Sequence, residues 1–204
     1  MKLPFKAIIF DLGGVILNID YNKTIDAFKS IGILNFDTLY TQAQQNNVFD
    51  DIETGKITPQ EFRDYIKSKS THALSDSDID QAWNAMLLDL PVKRIELLKN
   101  IANQCPIYLF SNTNKIHLDA FRLIIEKQHG DSMLLENLFI QTYYSHDLKM
   151  RKPNTEGFEH IIRENNLRPE TTLFIDDSIQ HIEGAKKVGL QTIWLNQQDI
   201  TEIF

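Results

Sequence analysis

Short unbroken apolar runs recur along the chain, each cut off by polar residues, and between them apolar residues return every three or four positions. Residues 7–10 (AIIF) form the first run, β-branched at its centre; residues 106–110 (PIYLF) and 172–175 (TLFI) form two more. Runs this short and continuous predict strands buried on both faces, as inside a parallel sheet. Residues 139–144 and 191–195 predict two further strands. The helical periodicity lies in between. Ile95, Leu98 and Ile101-Ala102 make one stripe, 116–126 reads as a helix, and Asn154 is placed to cap a helix carrying Phe158, Ile161 and Ile162. Residues 178–188 put Ile179, Ile182, Ala185 and Val188 on one face, with Gly189 as the stop. This alternation, from Pro91 onward, predicts an α/β fold: a doubly wound parallel sheet whose right-handed crossovers bring the strand ends to a common edge.

The stretch from Asn18 to about Leu90 has a different character. It lacks buried-strand runs and reads as several amphipathic helices. Thr58-Pro59-Gln60-Glu61 is a capping box with proline at the first helical position, followed by Phe62, Tyr65 and Ile66 on one face. Ser75-Asp76-Ser77-Asp78 starts another helix, with Ile79, Ala82, Trp83, Met86 and Leu87 behind it. The polar stretches 42–47 and 67–72 read as connections or solvated faces. The division is therefore a core made of 1–17 and 91–204, and a helical insertion, 18–90, directly after the first strand and placed to lid the strand ends.

Composition narrows the classes of function. A chain of 204 residues suits one large domain or a core with an insertion. Its net charge of −7, with no Lys/Arg cluster, speaks against a nucleic-acid partner. The single cysteine, Cys105, rules out an internal disulfide and suits a reducing compartment. No apolar run approaches the roughly 18 residues of a membrane span, and no signal-peptide pattern precedes Asp11. A cytoplasmic monomer with no membrane partner is the expectation.

The chemistry sits where the runs end. Asp11 closes the first run and is followed by Gly13-Gly14; Ser111-Asn112-Thr113 closes the second; Asp176-Asp177 closes the third; and Arg151-Lys152-Pro153 sets a cation before a helix. Carboxylates at strand ends stand where open α/β sheets bind ligands. Asp176 and Asp177 offer the hard oxygens that Mg²⁺ prefers. Ser111, the backbone N–H groups of Asn112 and Gly14, and the Lys152 ammonium are candidate phosphate donors. Each piece also has a plain structural reading: a strand-ending turn for Asp11, a helix N-cap for Asp176-Asp177, a surface lysine for Lys152.

Taken in order, FDLGGV, LFSNTN, MRKP and FIDDS resemble the haloacid dehalogenase-like superfamily over nearly the full length of the chain. Within that superfamily the wording is similar to the sugar-1-phosphate phosphatases. The resemblance implies a Rossmann-like core with a helical cap after the first motif. It implies Asp11 as the nucleophile that forms an aspartyl-phosphate, which splits one hard displacement into two easier ones. It also implies Mg²⁺ held by Asp11, the Gly13 carbonyl and Asp177, with Asp176 bound directly or through water. Ser111 and Lys152 would act on the phosphoryl group, and the substrate would be a small phosphorylated metabolite such as glucose 1-phosphate.

One position departs from the commoner pattern. Many phosphatases of this superfamily carry a second aspartate two residues after the nucleophile, as general acid and base; here that position is Gly13. A water or a cap residue can substitute, Asp20 being the nearest carboxylate, or the leaving group can need little help. Two rivals stand beside the phosphatase reading. One is a metal-independent 2-haloacid dehalogenase, which the extra carboxylates Asp176 and Asp177 disfavour. The other is a phosphosugar- or partner-binding protein with vestigial activity. In the cap, Asp20-Tyr21 and Glu53-Thr54-Gly55-Lys56 are candidate substrate contacts or simple polar turns. The six histidines show no metal-site spacing and are expected at the surface, His146 alone being placed to line the site.

Overall fold

The computed structural model describes residues 3–40 and 47–204. The polar stretch 42–47 therefore lies, apart from Asn47, outside the described residues. Five strands make one parallel sheet in the order β3-β2-β1-β4-β5: β1 (Ala7–Phe10), β2 (Ile107–Ser111), β3 (Gln141–Tyr144), β4 (Thr172–Asp176) and β5 (Gln191–Trp194). β1 lies at the centre, with Ile8 opposite both Ile107 of β2 and Leu173 of β4. Being flanked on both edges and covered on both faces, β1, β2 and β4 are buried throughout. That burial is why their sequences are continuous rather than alternating.

The helices of the core are α6 (Val92–Ala102), α7 (Lys115–His129), α8 (Leu134–Leu138), α9 (Ser145–Leu148), α10 (Thr155–Glu164) and α11 (Ile179–Lys187). The strand period of two divides the side chains between two helical layers. Ile8 and Phe10 share an apolar cluster with Leu98 of α6 and Phe121 of α7. Ala7 and Ile9 share another with Phe158 of α10 and Ile182 of α11. Two local expectations change. The strand expected from 139 starts at Gln141, because 134–138 form α8 and Phe139 is its extended cap. Asn154 precedes α10, but its side chain makes no capping bond.

The insertion folds into α1 (Tyr21–Ser30), α2 (Phe36–Leu39), α3 (Asn47–Glu53), α4 (Pro59–Lys67) and α5 (Asp76–Asn84). The expected capping box forms at Thr58/Glu61, and the helix start expected at Ser75 closes as a second capping box with Asp78. Its interior is a separate aromatic cluster centred on Trp83, whose ring lies 5.0 Å from Tyr40, 5.2 Å from Phe62 and 5.5 Å from Phe49. The two chain segments joining it to the core run side by side. Asn18 N–H donates to Asp89 O (2.8 Å) and Leu88 N–H to Asn18 O (3.0 Å). Among the described residues, no helix is long and apolar enough to cross a membrane.

One glycine fixes how the segment around Lys152 lies on the core. A Cβ added at Gly184, in α11, would fall 2.2 Å from the carbonyl oxygen of Pro153. Backbone therefore packs directly on backbone there. Gly184→Ala should cost about 1–3 kcal/mol by overpacking, seen as a lower urea midpoint at unchanged slope. An unchanged midpoint would mean that the 152–153 segment moves aside freely.

Candidate active site

The sheet order places three strand ends side by side. Asp11 follows β1, Ser111 ends β2 and Asp176 ends β4, at the point where the strand order reverses and α/β sheets open a crevice. Asp11 extends the ladder by donating its N–H to Ile175 O at 2.9 Å.

Lys152 lies on the segment between α9 and α10, clamped at the end of β2, and is wholly buried, at 0% exposure. Its Nζ lies 2.5 Å from Asp11 Oδ1 and 2.7 Å from Asp176 Oδ2. It also stands 5.5 and 5.4 Å from the ring centroids of Phe110 and Phe174. An isolated buried ammonium is costly, so this geometry needs the two carboxylates. Burial pushes the lysine pKa down, but Asp11 and Asp176 outweigh it and raise it, keeping the group charged. The backbone of Lys152 is clamped by the Asn112 side chain, which donates to Lys152 O and accepts from Lys152 N, both at 2.9 Å.

Asp176 has both oxygens engaged, accepting from Lys152 and from Ser178 N (2.8 Å), with His181 Nδ1 3.0 Å from each. Burial works against its charge, yet Lys152 and His181 hold it at about 2. Asp177 has the opposite balance: burial first, then Asp11 and Asp176, push it up to about 7. Burial, opposed by Lys152, raises Asp11 as well. Ligand oxygens of Asp11, Asp176 and Asp177 all lie within 4.8 Å of one another. Three carboxylates against one ammonium leave excess negative charge in a largely buried site. A divalent cation relieves that strain, and the hard oxygen set suits Mg²⁺.

The loop after Asp11 closes over this cluster. Gly14 has φ +75°, and a Cβ there would lie 2.3 Å from Asp177 Oδ2. Its N–H, a candidate phosphate donor by sequence, donates to Leu17 O at 2.9 Å and so serves the loop itself. Gly13 and Ser111 line the cavity around Asp11, together with Asn112. The cap adds Tyr21, Tyr40 and Glu53, and the core adds His117 and Arg151. Arg151 ties cap to core by pairing with Asp50 and, at 2.9 Å, with Glu53 Oε2.

Several sequence expectations are corrected or refined here. Asp20 is the N-cap of α1, accepting from Asn22 N at 3.0 Å; it does not line the cavity around Asp11 but lines an adjoining one with Gly14, Tyr21 and Asp177. His146 is buried but does not line that cavity. The histidines are not all at the surface. His117 is buried in the cavity wall, and His181 is spent on Asp176. Arg151 and the Asn112 side chain carried no sequence signal beyond standing within a motif, and Tyr40 carried none, since their contacts depend on elements far apart in the chain.

The model of the haloacid dehalogenase-like hydrolases matches residues 5–189. The chain belongs to that family. A HAD family enzyme of Bacteroides thetaiotaomicron, solved as an Asp-to-Ala variant in complex with magnesium and inorganic phosphate, is 33% identical to this hydrolase. The alignment covers 98% of both chains, with a TM-score of 0.89. A D-ribitol-5-phosphate phosphatase of the same organism is 28% identical over 187 residues, covering 92% of this hydrolase and 90% of the relative. A sesquiterpene phosphatase of Aspergillus oryzae is 26% identical over 197 residues, covering 93% and 89%. This hydrolase is thus similar to enzymes named for both polar and apolar phosphates.

Gly14 gives a test of the carboxylate cluster. Gly14→Ala strains a left-handed backbone and drives a methyl into Asp177. The variant should lose at least tenfold in Mg²⁺ affinity by calorimetry, beyond any change in melting temperature. Wild-type affinity would separate Asp177 from the cation site.

Proposed function

We propose that this hydrolase is a Mg²⁺-dependent phosphomonoesterase that acts through an aspartyl-phosphate on Asp11. The observation that carries the reading is the buried Lys152, held between Asp11 and Asp176 beside a third carboxylate. Asp11 and Asp177, with the Gly13 carbonyl, would hold the cation. Asp176, whose oxygens already accept hydrogen bonds, would bind it through water. The bound cation would neutralise phosphate charge that otherwise repels the nucleophile. Asp11 attacks phosphorus as the bond to the leaving oxygen breaks, and water then cleaves the acyl phosphate. Lys152 keeps Asp11 ionised and meets the charge of the transferring group. Ser111, at the end of the neighbouring strand, donates to a phosphoryl oxygen.

The leading substrates are phosphates of small sugars or polyols. Support comes from the D-ribitol-5-phosphate phosphatase relative and from the polar groups that Tyr21, Tyr40 and Glu53 bring over the site. Glucose 1-phosphate remains the specific candidate from the sequence.

Asp11→Asn should abolish turnover while keeping the fold, and rapidly quenched wild-type enzyme should carry its phosphate on Asp11 by mass spectrometry. Phosphate recovered on a serine or histidine would sink the mechanism.

Gly13 leads to a second expectation. General acid–base help is worth about 10² to 10⁴ in rate, and no carboxylate stands at position 13. In single turnovers, glucose 1-phosphate, with its more acidic leaving hydroxyl, should outpace D-ribitol 5-phosphate. A Cβ at position 13 first meets the Ile19 side chain, its δ-methyl at 2.9 Å, so Gly13→Asp can be accommodated by a shift of that methyl and should narrow the gap. Equal wild-type rates, with chemistry limiting, would show that a cavity acid already donates the proton, and Glu53 would be the first to replace.

A further inference from the structure

His117 stands in the first turn of α7, its N–H donating to Asn114 Oδ1 at 3.1 Å. Its ring stacks on Trp83 of the cap, centroids 4.6 Å apart and planes 22° apart. Nδ1 lies 2.8 Å from Asn84 Oδ1, the first residue beyond Trp83. An amide oxygen only accepts, so in this arrangement Nδ1 carries the proton and Nε2 keeps a lone pair. The residue is 6% exposed and belongs to the wall of the cavity that holds Asp11. The same cavity is lined by apolar Met86, Leu87 and Phe121 and by polar Ser111, Asn112 and Thr113. Burial lowers the imidazole pKa to about 3, so the ring is neutral at physiological pH and is not the missing proton donor.

A fixed acceptor in a cavity wall favours a partner that can donate. An alkyl chain in the same place leaves the lone pair unsatisfied, which costs more than a made bond gains. We propose that His117 is a specificity-determining residue, which selects a hydroxylated leaving group by accepting a hydrogen bond from one of its hydroxyls at Nε2. This rests on the phosphatase reading and deepens it. Polyol and sugar phosphates fit the wall, and prenyl-type phosphates do not. Because Trp83 and Asn84 belong to the cap, the acceptor is aimed only when cap and core are together.

The test compares two esters in the presence of Mg²⁺. One is p-nitrophenyl phosphate, whose leaving group has no further hydroxyl. The other is D-ribitol 5-phosphate or glucose 1-phosphate, whichever the wild type turns over faster. His117→Phe keeps a ring to stack on Trp83 but removes the acceptor. The ratio of kcat/KM for the hydroxylated ester over p-nitrophenyl phosphate should fall about 10- to 100-fold. His117→Gln, which restores an acceptor, should recover part of that ratio. An unchanged ratio in His117→Phe, whether both activities fall together or neither falls, overturns the assignment. So does a ratio in His117→Gln no better than in His117→Phe. A wild type inactive on every ester overturns the phosphatase reading instead, and this inference with it.

Discussion

The organisation of the molecule depends on one buried ammonium. Lys152 is fully enclosed, and its charge is tolerable only because Asp11 and Asp176 meet it from two adjacent strands. Those strands must therefore be neighbours, in register and parallel, which the order β2-β1-β4 provides. The Asn112 clamp on the Lys152 backbone draws the third strand into the same arrangement. Structure and chemistry coincide here. The groups that make the interior electrostatically acceptable are those that a phosphoryl-transfer site requires, and the excess negative charge left over is what a divalent cation would complete.

The cap is a second body of apolar packing, joined to the first by polar contacts as well as by the Trp83–His117 stack. Arg151 is the chain neighbour of Lys152, and it reaches Asp50 and Glu53 on α3. Lys149, two residues earlier, donates to Gly55 O at 3.0 Å. A single short segment thus presents one cation to the strand ends and two more to the cap. Docking of the cap and placement of Lys152 are consequently linked, and the cavity between them takes its polar groups from both sides.

The two adjacent glycines after Asp11 do different work. Gly14 is required by its own backbone conformation and by the closeness of Asp177. Gly13 is required by neither to the same degree, since a flexible Ile19 methyl is its nearest obstacle. The missing carboxylate at that position is therefore a matter of chemistry rather than of packing.

The sequence by itself determined the strand runs, the insertion after the first of them, the capping box at Thr58, the helix start at Ser75 and the Gly189 stop. Each of these is written within a few residues, as periodicity or turn chemistry. It also marked Asp11, Ser111, Lys152, Asp176 and Asp177, because each stands where an apolar run ends or a helix begins. Pairing was decided only by the tertiary structure. Lys152 meets Asp11 across 141 positions of chain, and Arg151 meets Asp50 across 101. His117 looks by sequence like one more polar residue on a helix. It is buried because a cap helix 33 residues away brings Asn84 against it, and Trp83 with it. Local patterning cannot encode such contacts, since they arise from the strand order and from the docking of two separately packed cores.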